Sequence, residues 1–490
     1  MRMRRRYHQN ADTRHAPTCH EEHISVVGHL DAVGELSAII NASARRKQPP
    51  GMRGIGPTSV ETPLVHRWVE SQWRSEALLH EAEPTLALQI YSSDGSTTAP
   101  DAVTKFRDFL GKQKPELLDE LTMCVDPVLD SPFESEDSPF ASEDSPFESE
   151  DSPFESEDSP LAVDSSIVAH TVAGQPALER TGFNWLRQAR PDLMGQNVTV
   201  LILDTLPVQS RVDVSPEYVD FWIDWVGDES PPPQPATPSS SPGHIPAAEI
   251  HRYHGVIAAS LIRHLAPSST IILARVLDDY GKGWSTTLIK AILWALAHRK
   301  SQTRINGQRL VHDKLIFNLS MGLPRTQAEE AEAICLLRTL DTAAQAATLT
   351  VAAAGNDSCG KPENPVEPAA FGYFGDSPAT AEQIIAVAGT DALTEYAFFS
   401  NEGHLAAPCR HIIGDTGPES CIKQTYGFST VQWSGTSFAT PQVTGLAALL
   451  WGAGRVPFHQ IKQHIWRTAH LPSRWNGVRE IDYVRAFRAL

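Results

Sequence analysis

The chain has 490 residues, of which 41% are hydrophobic, and a formal net charge of −18 at pH 7. That length exceeds one compact core of ordinary size, so two or more regions are expected. Twelve acidic residues fall within 130–160, which has no Lys or Arg, so the remainder is close to neutral. Nucleic-acid binding is therefore not expected, and without a run of about 18 apolar residues neither is a membrane span.

Residues 1–24 are polar and basic and read as a disordered tail. Met1-Arg2-Met3-Arg4-Arg5-Arg6 has the charge of a signal-peptide n-region, but polar residues follow in place of an apolar stretch. No secretory signal is expected, and a cytoplasmic location is the default. Six cysteines, Cys19, Cys124, Cys335, Cys359, Cys409 and Cys421, show no metal-binding spacing and read as free thiols. A Cys409–Cys421 bridge is sterically open, although a reducing compartment opposes it.

Residues 25–128 form an accessory region that the patterning predicts to be mainly helical. Thr62-Pro63 suits a helix start, and Leu64, Val65, Trp68, Val69 and Trp73 recur at helical spacing. Phe106, Phe109 and Leu110, then Leu117, Leu118 and Leu121, predict two more helical pieces parted near Pro115. A pro-segment, an adaptor making inhibitor or partner contacts, and a regulatory module all fit this region.

Residues 129–162 are a linker built on a seven-residue repeat, DSPFESE with one DSPFASE. Proline in each unit forbids a continuous helix and the carboxylates repel one another, so an extended solvated spacer is expected. Phe133, Phe140, Phe147 and Phe154 leave a docking strip as the minority reading, and the serines beside acidic residues suit phosphorylation.

From 163 to 490 the pattern alternates strand and helix. Val198 to Leu203, Thr270 to Val276, Lys314 to Leu319, Thr348 to Ala353 and Gln383 to Ala388 read as buried strands, with a helix over Thr286 to Ala297. Such alternation predicts an α/β fold with a parallel sheet covered on both faces, which gathers reactive residues at the carboxyl ends of its strands.

Four segments carry chemistry. Asp204 ends the first of these strands and is followed by Thr205-Leu206. His254 opens His254-Gly255-Val256-Ile257-Ala258-Ala259-Ser260, an apolar helical run; His251 is a nearby rival without the following glycine. Asn356 lies in Ala352-Ala353-Ala354-Gly355-Asn356-Asp357, just beyond a strand. Ser434-Gly435-Thr436-Ser437-Phe438-Ala439-Thr440-Pro441 delivers a serine to the start of a buried helix.

These segments, in this order, resemble the motifs of the subtilisin-like (S8) serine peptidases. The resemblance covers about 163–490 and implies a subtilisin-like parallel β-sheet flanked by helices on both faces. It also implies a catalytic set of Asp204, His254 and Ser437, with Asn356 in the oxyanion hole. Asn318-Leu319-Ser320-Met321-Gly322 and Gly281-Lys282-Gly283-Trp284-Ser285 resemble the two edges of the family's substrate cleft. That implies Ser320, Gly322, Gly281 and Gly283 as substrate-binding positions, where a peptide adds as a β-strand. Asp357 is placed near the specificity pocket, favouring a basic or polar side chain.

The chain departs from the pattern at Leu206, where glycine is usual, and at Val256, Ile257 and Ser260. A proline-rich insert, Pro231 to Pro246, lengthens the Asp204–His254 connection, and the short interval from His254 to Pro267 has no acidic residue to hold a calcium ion. No metal or cofactor is expected. The implied function is a serine endopeptidase acting on protein or peptide substrates through an acyl-enzyme. The alternatives are a peptide-binding pseudoprotease and a peptide ligase or macrocyclase using the same acyl-enzyme.

Overall fold

Ahead of the main body, the chain forms strands β1 (His23–His29), β2 (Ile55–Pro57), β3 (Leu64–His66) and β4 (Thr85–Ser92). Helix α1 (Leu117–Glu120) and strands β5 (Leu121–Val125), β6 (Val128–Asp130) and β7 (Leu161–Ala162) follow. The computed structural model describes only such short pieces between residues 23 and 162. From 175 to 490 it describes all but 208–216, 227–250, 306, 324–333, 359–363, 375–377, 392–394, 419, 427–428 and 471–478. Residues 1–22 of the tail, the acidic repeat and the proline-rich insert lie outside the described residues, while His23 and Ile24, expected in the tail, belong to β1.

Strands β2, β4, β1 and β5 make an antiparallel sheet in that order. The accessory region therefore contributes strands as well as the expected helix at 117–120. The helix expected from residue 62 onward is also corrected at Leu64–His66, which instead pairs antiparallel with Phe221–Asp224. An open sheet edge offers unpaired backbone groups, and this long-range pairing overrides the helical spacing.

The main body opens with short helices α2 (Pro176–Arg180) and α3 (Phe183–Ala189). Then come β8 (Val198–Asp204), β9 (Phe221–Asp224), α4 (His254–Leu265), β10 (Thr270–Arg275), β11 (Lys282–Trp284) and α5 (Ser285–Ser301). A small hairpin, β12 (Arg304–Ile305) and β13 (Gln308–Arg309), leads to β14 (Lys314–Leu319), α6 (Ile334–Gln345) and β15 (Thr348–Ala353). The remaining strands are β16 (Ile384–Thr390), β17 (Leu405–Pro408), β18 (Ile412–Asp415) and β19 (Thr430–Trp433). Helices α7 (Thr436–Ala453), α8 (Ile461–Thr468) and α9 (Tyr483–Arg488) close the chain.

The main sheet runs β17-β16-β15-β14-β8-β10-β9-β3, and all pairs except β9–β3 are parallel. This is the α/β architecture expected of the sequence. Strand β8 explains why its segment is apolar throughout. Val198, Val200 and Ile202 face one core with α4 and α7, while Leu201 and Leu203 face a second core with α5 and α6. All seven of its residues are buried, as a strand covered on both faces requires. Among the described residues, no helix is long and apolar enough to cross a membrane.

The N-terminal sheet lies against the outer helices, β4 near α5 and β1 and β5 near α6. Strand β6 pairs antiparallel with β11, and β7 with β19. The acidic linker therefore leaves from one of these strands and returns on the other. Cys335 and Cys409 are buried free thiols, so no Cys409–Cys421 bridge forms. Cys409 Sγ occupies the space beside Gly389 that any side chain there would need.

On α8, Lys462 donates to Ala381 O (2.6 Å) and Ile384 O (2.7 Å), and its Nζ lies 3.2 Å from His404 Nε2. Burial pushes Lys462 down from 10.5 to about 7, opposed in part by Glu382. A folded-state value below the unfolded one means that the unfolded chain binds more protons between these limits, so stability rises with pH across that window. Lys462→Met should flatten the rise in Tm between pH 7 and 10 relative to wild type in a calorimetric series. Parallel pH profiles for the two proteins would contradict this assignment.

Candidate active site

Asp204, Ser320 and Asn356 come from the carboxyl ends of three adjacent parallel strands, β8, β14 and β15. Asp204 is fully buried, and its Oδ1 accepts from the Thr205 N–H at 2.6 Å. His254, first residue of α4, places Nδ1 2.8 Å from Asp204 Oδ1 and 3.0 Å from Oδ2. A carboxylate only accepts, so this contact puts the ring proton on Nδ1 and leaves Nε2 as the basic nitrogen.

Gly255 makes this approach feasible. A Cβ there would lie 2.5 Å from Thr205 O and 2.9 Å from Asp204 Cβ, so only glycine lets α4 begin so close to β8. Three of the four departures from the expected motif have local accounts. Leu206 is not among the residues with positive φ and is buried in the core that includes α4, so its turn needs no glycine. Ile257 fits because residue 414 is glycine, whose added Cβ would lie 2.2 Å from Ile257 Cγ2. Ser260 Oγ accepts from the Asp415 N–H at 3.0 Å.

The rival His251 is buried beside Trp433, and burial, with a smaller effect of His254, pushes its imidazole down to about 3. The imidazole seated on the Asp204 carboxylate is that of His254. Rings also hold His254 edge-on, Phe438 at 5.0 Å and Trp433 at 5.5 Å between centroids. The sequence reading missed both aromatics as neighbours of the imidazole. Phe438 was legible as the residue after Ser437, whereas Trp433 carries no signal of its own.

Ser437 is the second residue of α7, whose first sixteen residues are all buried. Gly435 precedes the helix with φ +143, a conformation that suits glycine. Pro441 sits inside the helix and has no N–H, so the Ser437 carbonyl loses its usual partner four residues on. Ser320 Oγ takes that place, donating to Ser437 O at 3.0 Å. Ser320 Oγ in turn accepts from Asn318 Nδ2, whose Oδ1 accepts from Thr444 Oγ1. The Ser437 hydroxyl donates to Ser320 O at 3.3 Å. Ser434 is spent structurally, its Oγ accepting from the His411 N–H.

Asn356 is oriented by Thr436, whose N–H and Oγ1 both donate to Asn356 Oδ1 at 3.0 Å. That orientation leaves the amide nitrogen Nδ2 buried and, among the described residues, without a hydrogen-bond partner. A buried donor without an acceptor is costly unless something else accepts from it. Asp357 is exposed, and its carboxylate accepts from Asn401 Nδ2 at 3.2 Å.

Of the expected substrate positions, Ser320 and Gly322 follow β14, and Gly281 and Gly283 lie at and in β11. Gly281 has φ +79, and a Cβ on Gly283 would lie 2.3 Å from Val276 O. The Asp278 carboxylate ties this turn by accepting from Tyr280 N and Lys282 N, both at 2.9 Å.

The model of the subtilase family (Peptidase_S8) matches residues 195–482. Subtilisin-like protease 6 of Trichophyton equinum is 30% identical over 194 residues, 39% of this chain and 40% of that protein. Thermitase of Thermoactinomyces vulgaris is 28% identical over 268 residues, 53% of this chain and 77% of that protein. The chain thus spans only 40% of the fungal relative's length. Among solved structures, a mutant of the protease domain of PatA aligns with TM-score 0.41 and 24% identity, over 60% of this chain and 96% of that one.

Proposed function

Because the chain belongs to the subtilase family, we propose that it is a serine endopeptidase working through an acyl-enzyme at Ser437. The observation that carries this reading is the Asn356 amide, tied twice through its oxygen to Thr436 and left with a buried, unspent N–H beside the nucleophile's helix. A donor held in that state is organised for an oxygen that gains negative charge during reaction.

Ser437 Oγ attacks the peptide carbonyl as His254 Nε2 takes its proton. Asp204 keeps the imidazole proton on Nδ1 and stabilises the imidazolium that forms. Asn356 Nδ2 and the Ser437 N–H hold the tetrahedral oxyanion; the latter is one of the first helix N–H groups, which have no partner within the helix. The proton on His254 then goes to the leaving amine, and water releases the acyl group by the same path. A fluorophosphonate probe should label the protein at Ser437, and Ser437→Ala should abolish labelling in peptide mapping. Unlabelled wild type, or equal labelling of the variant, would contradict the reading.

The pairing of β6 with β11 supports a role for the accessory region as an inhibitory segment. Val128–Asp130 lies antiparallel to Lys282–Trp284, the strand to which substrate would add. Peptide and β6 need the same N–H and C=O groups, so each excludes the other. The segment would be removed by cleavage in the acidic linker. Leu129→Pro removes a donor opposite Gly283 and should speed fluorophosphonate labelling of the uncleaved chain, with chain length followed by intact mass. Equal labelling rates for uncleaved variant and wild type would contradict inhibition.

A further inference from the structure

We infer that Val366 closes the pocket for the side chain on the acyl side of the cleaved bond, restricting cleavage to the carboxyl side of glycine, alanine or serine. This rests on the peptidase reading above and names the substrate class of the same site.

Strands β14 and β15 are neighbours in register, Leu319 opposite Ala352. Beyond them the chain diverges into two short segments, 320–323 and 354–356. The first abuts the nucleophile through the paired Ser320 and Ser437 hydrogen bonds, and the second carries Asn356. A peptide whose carbonyl oxygen lies on Asn356 Nδ2, whose carbon faces Ser437 Oγ and whose main chain follows Ser320–Gly322 sends its side chain between them. Both walls carry glycine there, Gly322 and Gly355, and by themselves would leave an open slot.

Val366 fills that slot. Its N–H donates to Ala354 O at 2.9 Å, and Glu367 O accepts from Leu323 N at 2.8 Å, so residues 366–367 are stitched to both segments. A Cβ built on Gly322 would lie 2.4 Å from Val366 Cγ2, and one on Gly355 would meet Asn401 Nδ2 at 2.5 Å and then the two Val366 γ-carbons at 3.1 and 3.2 Å. The isopropyl group therefore stands against both glycine walls and is only 6% exposed. The main chain at 366–367, bonded to both segments, holds this side chain in place. An acyl-side methyl or hydroxymethyl fits above Val366, whereas a benzyl or butyl-amine chain meets its methyl groups. Asp357, exposed and already accepting from Asn401, does not convert the slot into a basic-residue pocket.

The test uses the full chain carrying Leu129→Pro, which frees the β11 edge, and peptides identical except for Ala, Phe or Lys at the acyl-side position, with cleavage sites read by mass spectrometry. Active centres are titrated with a fluorophosphonate bearing no such side chain. Each misfitting group in an apolar pocket changes kcat/KM by ~10–200-fold. This chain should therefore prefer Ala to Phe by about 100-fold or more, and adding Val366→Gly should raise the Phe-to-Ala ratio by about 100-fold. Val366→Ala, which keeps more of the packing, should move the ratio in the same direction by a smaller factor. A titrated chain with Val366 that cleaves Phe or Lys peptides as readily as Ala, or titrated variants with an unmoved ratio, would overturn the inference while leaving the peptidase reading intact. Absence of any titratable centre would overturn the peptidase reading, and this inference with it.

Discussion

Close packing of α4 and α7 against the middle of the sheet is the constraint on which the site depends. His254 and Ser437 each stand at the start of one of these helices, so their separation is set by how nearly the helices approach each other and β8. Two glycines govern that approach. Gly255 lets α4 begin against Asp204 and Thr205, and Gly445 lets α7 pass α4 where an added Cβ would meet Leu265 at 2.7 Å. The helices are buried along nearly their whole length, which makes this geometry stiff and costly to deform.

Polar accounting inside that apolar packing positions the remaining groups. Pro441 removes one helical hydrogen bond, and the vacancy is filled from the next strand end by Ser320, itself fixed through Asn318 and Thr444. On the proposed reading the same strand end would offer its main chain to a substrate, so the surface that would hold a peptide and the nucleophile that would attack it are mechanically one unit. Thr436 does the corresponding work on the other side by fixing the amide of Asn356.

The strands of the main sheet were legible because burial on both faces forces continuous apolar runs, and Lys314–Leu319 and Thr348–Ala353 match the expected limits. The four segments around Asp204, His254, Asn356 and Ser437 were legible because each combines a chemical group with a tight turn or helix start. Pairings between distant segments were not. Nothing in His23–His29 announces Thr85–Ser92 as its partner, and Leu64–His66 has helical spacing that only the open edge of β9 overrides. Val366 is hidden for the same reason, since its place between Gly322 and Gly355 exists only once three separate segments meet.

On the proposed reading, a buried carboxylate holds one imidazole in the tautomer that can take the proton of one alcohol. The most direct measurement is the second-order rate of fluorophosphonate attachment to Ser437 in Asp204→Asn beside wild type. The substitution keeps the size of the side chain but reverses which imidazole nitrogen carries the proton, so the rate should fall by ~10⁴. Attachment at the wild-type rate in a folded Asp204→Asn protein would show that Ser437 is not activated through His254.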